Sequence, residues 1–377
     1  MTADITLRGP GDVVAILPYQ LGYHPRDSAV VISLRGKQVG LVARTDLPPD
    51  EHVDEVVSTL MGPLVRDGAT SVIVVGYEDA PDTSQPLLLA LVERLERAGI
   101  HVVDVAVVRE GRRYSAICSD PCCPPDGVAL PDPADVPGVA EYVALGRSPL
   151  RSRGDVEGLV APEPWRCLGV ERAIDTRSRM PRARRRSVAA WRAVLDPGER
   201  GRRPPDRRAV ADLALGLADI PWRDGLIAWL VPSVLSTEEI DPRVVSLLRS
   251  SMPTWGGMGA AAEHRVMGVR VGERVGERAA RDALTVERDD LLHRLLALCR
   301  SVPDECPDEA AAVCTVAAHV AWVGGDGAIT RAAVERALRL APGYRLARLL
   351  NGLVENGLRL PPITRAGHAT SPLDRTG

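Results

Sequence analysis

Aromatic side chains are scarce in this sequence, which has no phenylalanine and only 3% aromatic residues in total. Its hydrophobic cores must therefore consist mainly of Leu, Val and Ala, with six tryptophans as the largest anchors. Lysine is almost absent as well, since Lys37 is the single lysine among 47 basic residues. This bias, together with abundant Ala, Gly and Pro, indicates a genome rich in G and C, so arginine content alone indicates no function.

Long apolar segments are missing too. No run of about 18 apolar residues exists, so we expect no membrane-spanning helix. The N-terminal segment lacks the basic start and apolar run of a signal peptide. Seven cysteines, an odd number spread unevenly over 377 residues, favour reduced thiols over a disulfide framework. We therefore expect a cytoplasmic protein that does not bind a membrane.

Familiar catalytic motifs do not occur. The sequence has no glycine-lysine phosphate loop, no glycine-rich dinucleotide loop, no paired-histidine zinc motif and no hydrolase nucleophile motif. We therefore expect no cofactor. The net charge of −3 also excludes a global positive field that would attract nucleic acid.

Residues 1–130 predict an α/β domain. Segments 28–34 and 39–46 have the apolar character of strands around a short turn at Gly36, which favours a β-hairpin. Two helical patterns alternate with two further apolar strands, and these four segments are 52–66, 72–77, 84–98 and 101–108. Because strand–helix–strand units join parallel strands, we expect a mixed, mostly parallel sheet.

The rest of the chain predicts helices. Residues 131–186 are rich in Pro and Arg and predict a linker with short helices, whereas 187–360 predict an all-α helical domain and 361–377 a disordered tail. Segment 317–356 resembles a tetratricopeptide unit, with Gly325 in the turn between its helices. Only one such unit is visible, and an array normally needs at least three, so an ordinary helical hairpin is the alternative.

A polar cluster lies immediately before the first strand. Pairing of Arg35 with Gln38 across the turn places Ser28 opposite Thr45, and the carboxyl end of strand 72–77 should open on the same side. Ligands of open α/β sheets bind beyond such strand ends. The candidate catalytic residues there are His24, Asp27, Ser28, Arg44 and Asp46. The candidate ligand-binding residues are Tyr23, Gly76, Tyr77 and Glu78.

This cluster has two chemical interpretations and a structural one. His24 could act as general base toward Ser28, with Asp27 or Asp46 orienting the imidazole. Arg44 could instead hold an anionic ligand through its paired N–H donors. In the structural alternative the loop is a turn in which Asp27 and Ser28 bond to local backbone and Arg44 neutralises Asp46.

Three cysteines form a second cluster, Cys118, Cys122 and Cys123. Such thiols could bind a soft metal or undergo redox exchange. Zinc usually takes four ligands from paired clusters, and no second cluster exists here, so we expect no metal. The alternative is a loop made rigid by prolines. Because the strand before Cys118 should run opposite to strand 101–108, this cluster is expected at the far end of the sheet from His24.

Twelve arginines occur within residues 177–208, and the densest group is Arg182, Arg184, Arg185 and Arg186. They could bind the phosphates of nucleic acid or lipid. The segment has no aromatic residue besides Trp191 and is interrupted by Pro204 and Pro205. The alternatives are a solvated helix face, or docking against the acidic N-terminal domain of the same chain.

Four segments together carry a family resemblance. They are ITLRGPGDVVAILPYQLGYHPRDSAVVISLRG, VGLVARTDLP, CSDPCCPPDG and AWVGGDGAITRAAVERALRLAPGYRLARLL, in that order. In these segments the chain is similar to the actinobacterial family catalogued as domain of unknown function 4192. The family has no established activity, so the resemblance implies an organism class and an architecture but no chemistry.

These patterns favour a cytoplasmic protein that binds an unknown small molecule or protein partner in a regulatory or scaffolding role. An enzyme, either a hydrolase or a transferase, built on His24, Asp27, Ser28, Arg44 and Asp46 is the first alternative. A nucleic-acid-associated factor that uses residues 177–208 is the second alternative.

Overall fold

The computed structural model describes residues 9–358, apart from 37, 119–120, 122, 145, 197–202, 236 and 254–287. The predicted tail at 361–377 and Cys122 therefore lie outside the described residues. Along the chain, an α/β region is followed by a mostly helical remainder. Both features agree with the predicted fold class.

A mixed sheet of six strands forms the first region, in the spatial order β2-β1-β3-β4-β5-β6. Its strands are β1 (Ser28–Arg35), β2 (Gln38–Asp46), β3 (Ser71–Tyr77), β4 (His101–Arg109), β5 (Arg112–Ser115) and β6 (Val128–Ala129). Buried Val and Ala side chains dominate β1 and β3, as expected for strands covered on both faces.

The prediction that this sheet is mostly parallel was wrong. Among the described strands, β3 and β4 are the only parallel neighbours, and every other pair is antiparallel. The reason lies in the position of β1. β2 and β3 run in the same direction, but β1 lies between them and runs opposite to both, so the connection from β2 to β3 produces no parallel contact.

The predicted hairpin forms, but its register differs by one residue from the prediction. Ser28 pairs with Asp46 instead of Thr45, because β2 carries a bulge between the regular pairing on either side of it. Gly40 lies in this bulge, where a Cβ atom would collide with Ser33 Oγ and the Asp67 carboxylate. The small residue therefore permits the irregularity.

Helices cover both faces of the sheet. Two amphipathic helices, α2 (Val53–Arg66) and α3 (Gln85–Arg97), pack on one face and contribute Leu60, Leu64, Leu91 and Leu95 to its core. The helix α1 (Pro10–Leu21) covers the other face with Val14 and Leu17. It ends at Gly22, whose φ of 83° is a left-handed cap conformation that favours glycine. The sheet is thus a buried middle layer.

Short helices follow within residues 131–186. They are α4 (Pro137–Ala144), α5 (Arg153–Gly158), α6 (Pro164–Cys167) and α7 (Val170–Ser178). The next helices are α8 (Ala183–Val194), α9 (Arg207–Gly216), α10 (Ile220–Leu230), α11 (Pro242–Ser251) and α12 (288–299). The last three are α13 (Pro307–Gly324), α14 (Gly327–Leu340) and α15 (Arg345–Glu355). Their common core is built around Trp191 and Trp222.

Helix starts in this region follow the expected capping chemistry. Asp206 accepts backbone N–H groups of Arg208 at 2.9 Å and Ala209 at 2.8 Å, and so caps α9. Asp241 caps α11 in the same way, with Pro242 in the first turn. α13 and α14 form a helical hairpin that turns at Gly325, as predicted. Among the described helices, none is both long enough and apolar enough to cross a bilayer.

The two regions contact each other directly. Tyr23, which follows α1, is buried in the helical core and forms a β-bridge with Leu150. On the opposite side of the sheet, Arg66 of α2 donates to the backbone and side-chain oxygens of Asn356 at 3.0 Å. The end of the sheet at which the sequence predicts a ligand-binding crevice, beside Tyr23, therefore faces the helical region.

Candidate functional site

Three strand ends meet at one end of the sheet. Ser28 begins β1, and its Cα pairs with Asp46 at the end of β2 and with Tyr77 at the end of β3. Because side chains alternate between the two faces of a sheet, the side chains of Ser28, Asp46 and Tyr77 all project from the face that α1 covers. Arg44 lies on that face as well, one step inward from Asp46. We call Ser28, Arg44, Asp46 and Tyr77 the rim cluster.

The rim cluster holds three buried polar atoms that have no hydrogen-bond partner within the described part of the chain: Ser28 Oγ, Tyr77 Oη and Arg44 Nε. The Ser28 side chain is fully buried, and Tyr77 is only 7% exposed. Buried polar groups are nearly always hydrogen-bonded, and each unpartnered one costs about 1–3 kcal/mol. Burial also raises the pKa of Tyr77, so its hydroxyl keeps its proton.

Charges in the rim cluster are compensated. Arg44 Nη1 lies 2.6 Å from Asp46 Oδ1, which is the ion pair of the structural alternative. Arg153 of α5 binds the other oxygen of Asp46 at 3.2 Å and also binds Glu335 of α14 at 3.2 Å. Arg153 thus connects the sheet end to the helical region. Sequence reasoning missed both Arg153 and Glu335, since no local pattern connects positions so far apart.

Tyr23 closes the rim cluster from the helical side. Burial raises the pKa of Tyr23, the charges of Arg44 and Arg153 act against that rise, and the charge of Asp46 adds to it. Its ring belongs to the helical core, and backbone hydrogen bonds hold its neighbours Gly22 and His24 to Leu150. Tyr23 is therefore buried against the helical region while it feels the charges of the rim cluster.

His24 and Asp27 lie apart from this arrangement. His24 is exposed, and because Ser28 Oγ has no partner, the hydrogen-bonded His–Ser pair of the enzyme interpretation is not formed. Asp27 has a φ of 38° and accepts the backbone N–H of Asp79 at 3.0 Å, while its carbonyl accepts from Leu47 at 3.1 Å. Both contacts are with residues distant in sequence, so Asp27 connects the start of β1 to the segments that follow β2 and β3 and does not make the local turn of the structural alternative.

Gly76 and Glu78 serve packing and capping. A Cβ atom at Gly76 would lie 2.9 Å from Ser84 Cβ and 3.0 Å from a Leu88 methyl carbon, so glycine allows α3 to approach β3. Glu78 accepts the backbone N–H of Ser84 at 2.9 Å and its hydroxyl at 2.6 Å, and pairs with Arg109 at 3.1 Å. Its carboxylate is therefore fully engaged within the protein.

The cysteine cluster is only partly described, because Cys122 lies outside the described residues. Cys118 follows β5, and its backbone N–H donates to Ser115 Oγ at 3.0 Å. β5 runs antiparallel to β4 and leads the chain away from the rim cluster. Within the described residues, no three His, Cys, Asp or Glu side chains are close enough together to hold a metal ion.

Two of the four arginines proposed for nucleic acid are engaged in ion pairs. Arg184 binds Asp219 at 2.5 Å, and Arg186 binds the buried Asp212 at 2.9 Å. Arg182 and Arg185 are exposed. Arg182 has a φ of 63° and stands at the start of α8. The densest part of the Arg-rich segment therefore includes helix–helix ion pairs as well as exposed cations.

The structure also exposes a surface that sequence reasoning missed. Trp165 lies in α6 and Leu168 follows its last residue, and the two side chains are 67% and 77% exposed. Arg172, Arg207 and Arg208 lie beside them and make no ion pair in the described ranges. We call these five residues the Trp165 surface. The only signal in the sequence is a tryptophan in a proline-rich stretch without clear periodicity.

The fold and site define a class of protein in which an α/β sheet with a polar end is joined to a larger helical bundle. The family model described as "Domain of unknown function (DUF4192)" matches residues 10–250 and 256–361. The chain belongs to this family, as the sequence resemblance indicated. No curated protein and no solved structure matches the chain.

Proposed function

We propose that this protein binds a small ligand at the rim cluster, in a site that the helical region closes. The observation that carries the proposal is the group of unpartnered buried atoms, Ser28 Oγ, Tyr77 Oη and Arg44 Nε. If nothing bound these three buried atoms, they would together lower the stability of the folded protein by several kcal/mol. A ligand that hydrogen-bonds to them removes this cost.

The chemistry of the three atoms defines the ligand class. Arg44 Nε can only donate, whereas the hydroxyls of Ser28 and Tyr77 can donate or accept. Carbonyl, carboxylate or hydroxyl oxygens of a ligand can pair with each of these atoms. Because Asp46 already offsets the charge of Arg44, we expect a neutral or singly charged oxygen-bearing group in preference to a polyanion such as a triphosphate.

The position of the site supports a regulatory role. The Asp46 side chain is 66% exposed, so the rim cluster borders solvent along β2. Arg153 links that edge to Glu335 of the helical region. A ligand bound there contacts the sheet and lies beside Arg153, so its presence can change how firmly the two regions are held together.

The two alternatives have weaker support. A hydrolase or transferase needs a base within reach of Ser28, and His24 does not bond to it. A nucleic-acid factor needs accessible cations, and two of the four arginines in the densest group, Arg184 and Arg186, already bind carboxylates, which leaves Arg182 and Arg185 exposed. The cytoplasmic location, the actinobacterial origin, the domain boundaries and the likeness of the α13–α14 hairpin to tetratricopeptide units also remain predictions from the sequence.

The test is to identify small molecules that stay with the protein. The protein is purified under native conditions from cells that naturally produce it, then denatured, and the released compounds are quantified by mass spectrometry. We expect one oxygen-bearing compound at near-stoichiometric amounts in the parent protein. A double variant, Ser28→Ala with Tyr77→Phe, should lose this compound.

A matched control removes a tyrosine hydroxyl elsewhere. Tyr344→Phe deletes a hydroxyl that accepts a hydrogen bond from Arg223 at 3.3 Å in the helical region, far along the chain from the rim cluster. This variant should keep the compound at the parent level. If no compound is enriched, or if the double variant retains as much as the parent, the rim cluster is not a ligand site.

A further inference from the structure

The Trp165 surface combines the residue types that dominate binding energy between proteins. Tryptophan and arginine are enriched among the residues that contribute most to such interfaces. A neighbouring pair of large apolar side chains as exposed as Trp165 and Leu168 is unusual, and apolar patches of this kind mark interaction sites. We propose that the Trp165 surface binds an acidic segment of a partner protein that also carries a large apolar side chain.

Trp165 is held in place before any partner arrives. The guanidinium of Arg166 stacks over its ring at 4.3 Å from the centroid. Arg166 is itself fixed by Glu163 at 2.5 Å, and Glu163 also binds Arg300 of the helical core at 3.2 Å. A side chain that is already ordered loses less conformational entropy on binding, so the exposed ring is a pre-organised anchor.

The shape of the surface suits an extended segment. Two adjoining clefts, of about 480 and 810 Å³, share Leu168, Arg207 and Arg208 along their common border. Trp165 lines the smaller cleft, and Arg172 lines the larger one. A segment that crosses the border can place an apolar side chain beside Trp165 and Leu168 while its neighbours reach the arginines.

Charge complementarity selects an acidic partner. Of the arginines that line the two clefts, Arg166 and Arg177 are bound by carboxylates of this chain. Arg172, Arg207 and Arg208 are exposed, and within the described residues no carboxylate pairs with them. Asp206, which precedes Arg207, is occupied in capping α9. Glu171, which precedes Arg172, lines the larger cleft as well, so the arginines outnumber the carboxylates there. Three guanidinium groups thus remain available for the carboxylates of a partner.

A protein segment fits this surface better than a nucleic acid does. Single-stranded nucleic acid is usually held by successive aromatic rings, and among the residues that the structure describes Trp165 is the one aromatic side chain lining the two clefts. Leu168 offers an aliphatic contact with no use in base stacking.

The test uses a degenerate library of 12-residue peptides in which Asp and Glu alternate with Leu, Ile, Phe or Trp. Binding of labelled peptides to the full chain is measured by fluorescence anisotropy at low salt. The double variant Arg207→Glu with Arg208→Glu should weaken binding at least tenfold, and Leu168→Ser should weaken it severalfold. Peptides that carry Asn and Gln in place of the acids should not bind measurably.

The matched control reverses the same number of charges elsewhere. Arg243 and Arg249 are exposed residues of α11, so Arg243→Glu with Arg249→Glu changes the net charge equally and should leave peptide binding unchanged. Circular dichroism confirms that each variant is folded. The proposal fails if no acidic peptide binds, if both double variants weaken binding equally, or if a single-stranded oligonucleotide binds more tightly than every peptide.

Discussion

Ser28 and Ser33 lie on the same strand and are both fully buried, yet only the Ser33 hydroxyl is hydrogen-bonded. Ser33 Oγ donates to the Asp67 carboxylate and accepts the backbone N–H of Leu41 at 2.8 Å. Ser28 Oγ has no partner in the described part of the chain. β1 thus carries one hydroxyl whose hydrogen bonds stabilise the fold and a second hydroxyl that is available to a ligand.

This contrast predicts opposite effects of the same substitution. Ser33→Ala should lower the free energy of unfolding by about 1–3 kcal/mol, because the half-buried Asp67 carboxylate loses one of its two donors and keeps only the backbone N–H of Leu41 at 3.0 Å. Ser28→Ala in ligand-free protein should leave it unchanged or raise it by up to about 1 kcal/mol, because an unpartnered hydroxyl is removed. Urea unfolding of both variants measures the two values. Equal destabilisation by the two substitutions would show that Ser28 is partnered.

Arg336 is the second position where burial and hydrogen bonding allow a quantitative prediction. Its side chain is 4% exposed and donates to the carbonyls of Cys299 at 2.8 Å and Val302 at 2.7 Å, and to Asp304 at 2.8 Å. Arg336→Met should lower the free energy of unfolding by about 3–5 kcal/mol, because it breaks the ion pair of this buried side chain with Asp304 and removes its donors from both carbonyls.

The control for this prediction is the neighbouring arginine on the same helix. Arg339 pairs with the other oxygen of Asp304 at 3.1 Å, but its side chain is 61% exposed. Solvent screens this pair, so Arg339→Met should change the free energy of unfolding by less than about 1 kcal/mol. A similar loss in both variants, measured by urea unfolding, would contradict the structural role of Arg336.

Asp304 gives a prediction for pH. Burial raises its pKa, but the hydrogen bonds and charges of Arg336 and Arg339 outweigh that effect, so the pKa lies below the ordinary value of 3.8. A carboxylate with a lowered folded-state pKa contributes stability above its unfolded pKa and loses it as the pH falls through the folded pKa. Asp304→Asn should therefore lower the free energy of unfolding at neutral pH. Below about pH 4, where the parent loses stability as Asp304 is protonated, the variant should depend less on pH.

Stability of the parent and of Asp304→Asn, measured by urea unfolding from about pH 3 to pH 7, tests this prediction. The two curves should converge as the pH falls. Parallel curves across the whole range would mean that Asp304 does not titrate differently in the folded and unfolded states.

The packing role of Gly76 is tested with a single methyl group. Gly76→Ala should lower the free energy of unfolding by about 1–3 kcal/mol, because the new Cβ atom would collide with Ser84 and Leu88 where α3 crosses β3. Gly343→Ala is the control, since nothing lies within 4 Å of the added atom there. If Gly76→Ala is as mild as Gly343→Ala in thermal unfolding, the close approach of α3 is not as the structure has it.

Much of the architecture follows from periodicity, and the errors have local causes. The strands at 28–34 and 72–77 were predicted within about a residue of their ends, because apolar runs and flanking turns specify them directly. The order of the strands in the sheet was not predicted correctly, because nothing in the sequence indicates that β1 lies between β2 and β3. The one-residue register error arose at Gly40, where a bulge depends on the contact between Ser33 and Asp67.

The candidate site was predictable only in part, for a similar reason. Ser28, Asp46 and Tyr77 were found because they follow or precede strands whose ends must lie together. The burial of Tyr23 and the link through Arg153 depend on packing against helices more than a hundred residues away, which no local pattern records. Trp165 was missed because exposure of a large side chain cannot be read from its neighbours in sequence.

The central claim is that the rim cluster binds a ligand, and a crystal structure of natively purified protein at about 1.5 Å resolution tests it most directly. The account predicts continuous multi-atom density within hydrogen-bond distance, about 2.6–3.2 Å, of Ser28 Oγ, Tyr77 Oη and Arg44 Nε. Isolated single waters at these atoms, or their hydrogen bonding to other groups of the protein, would contradict it.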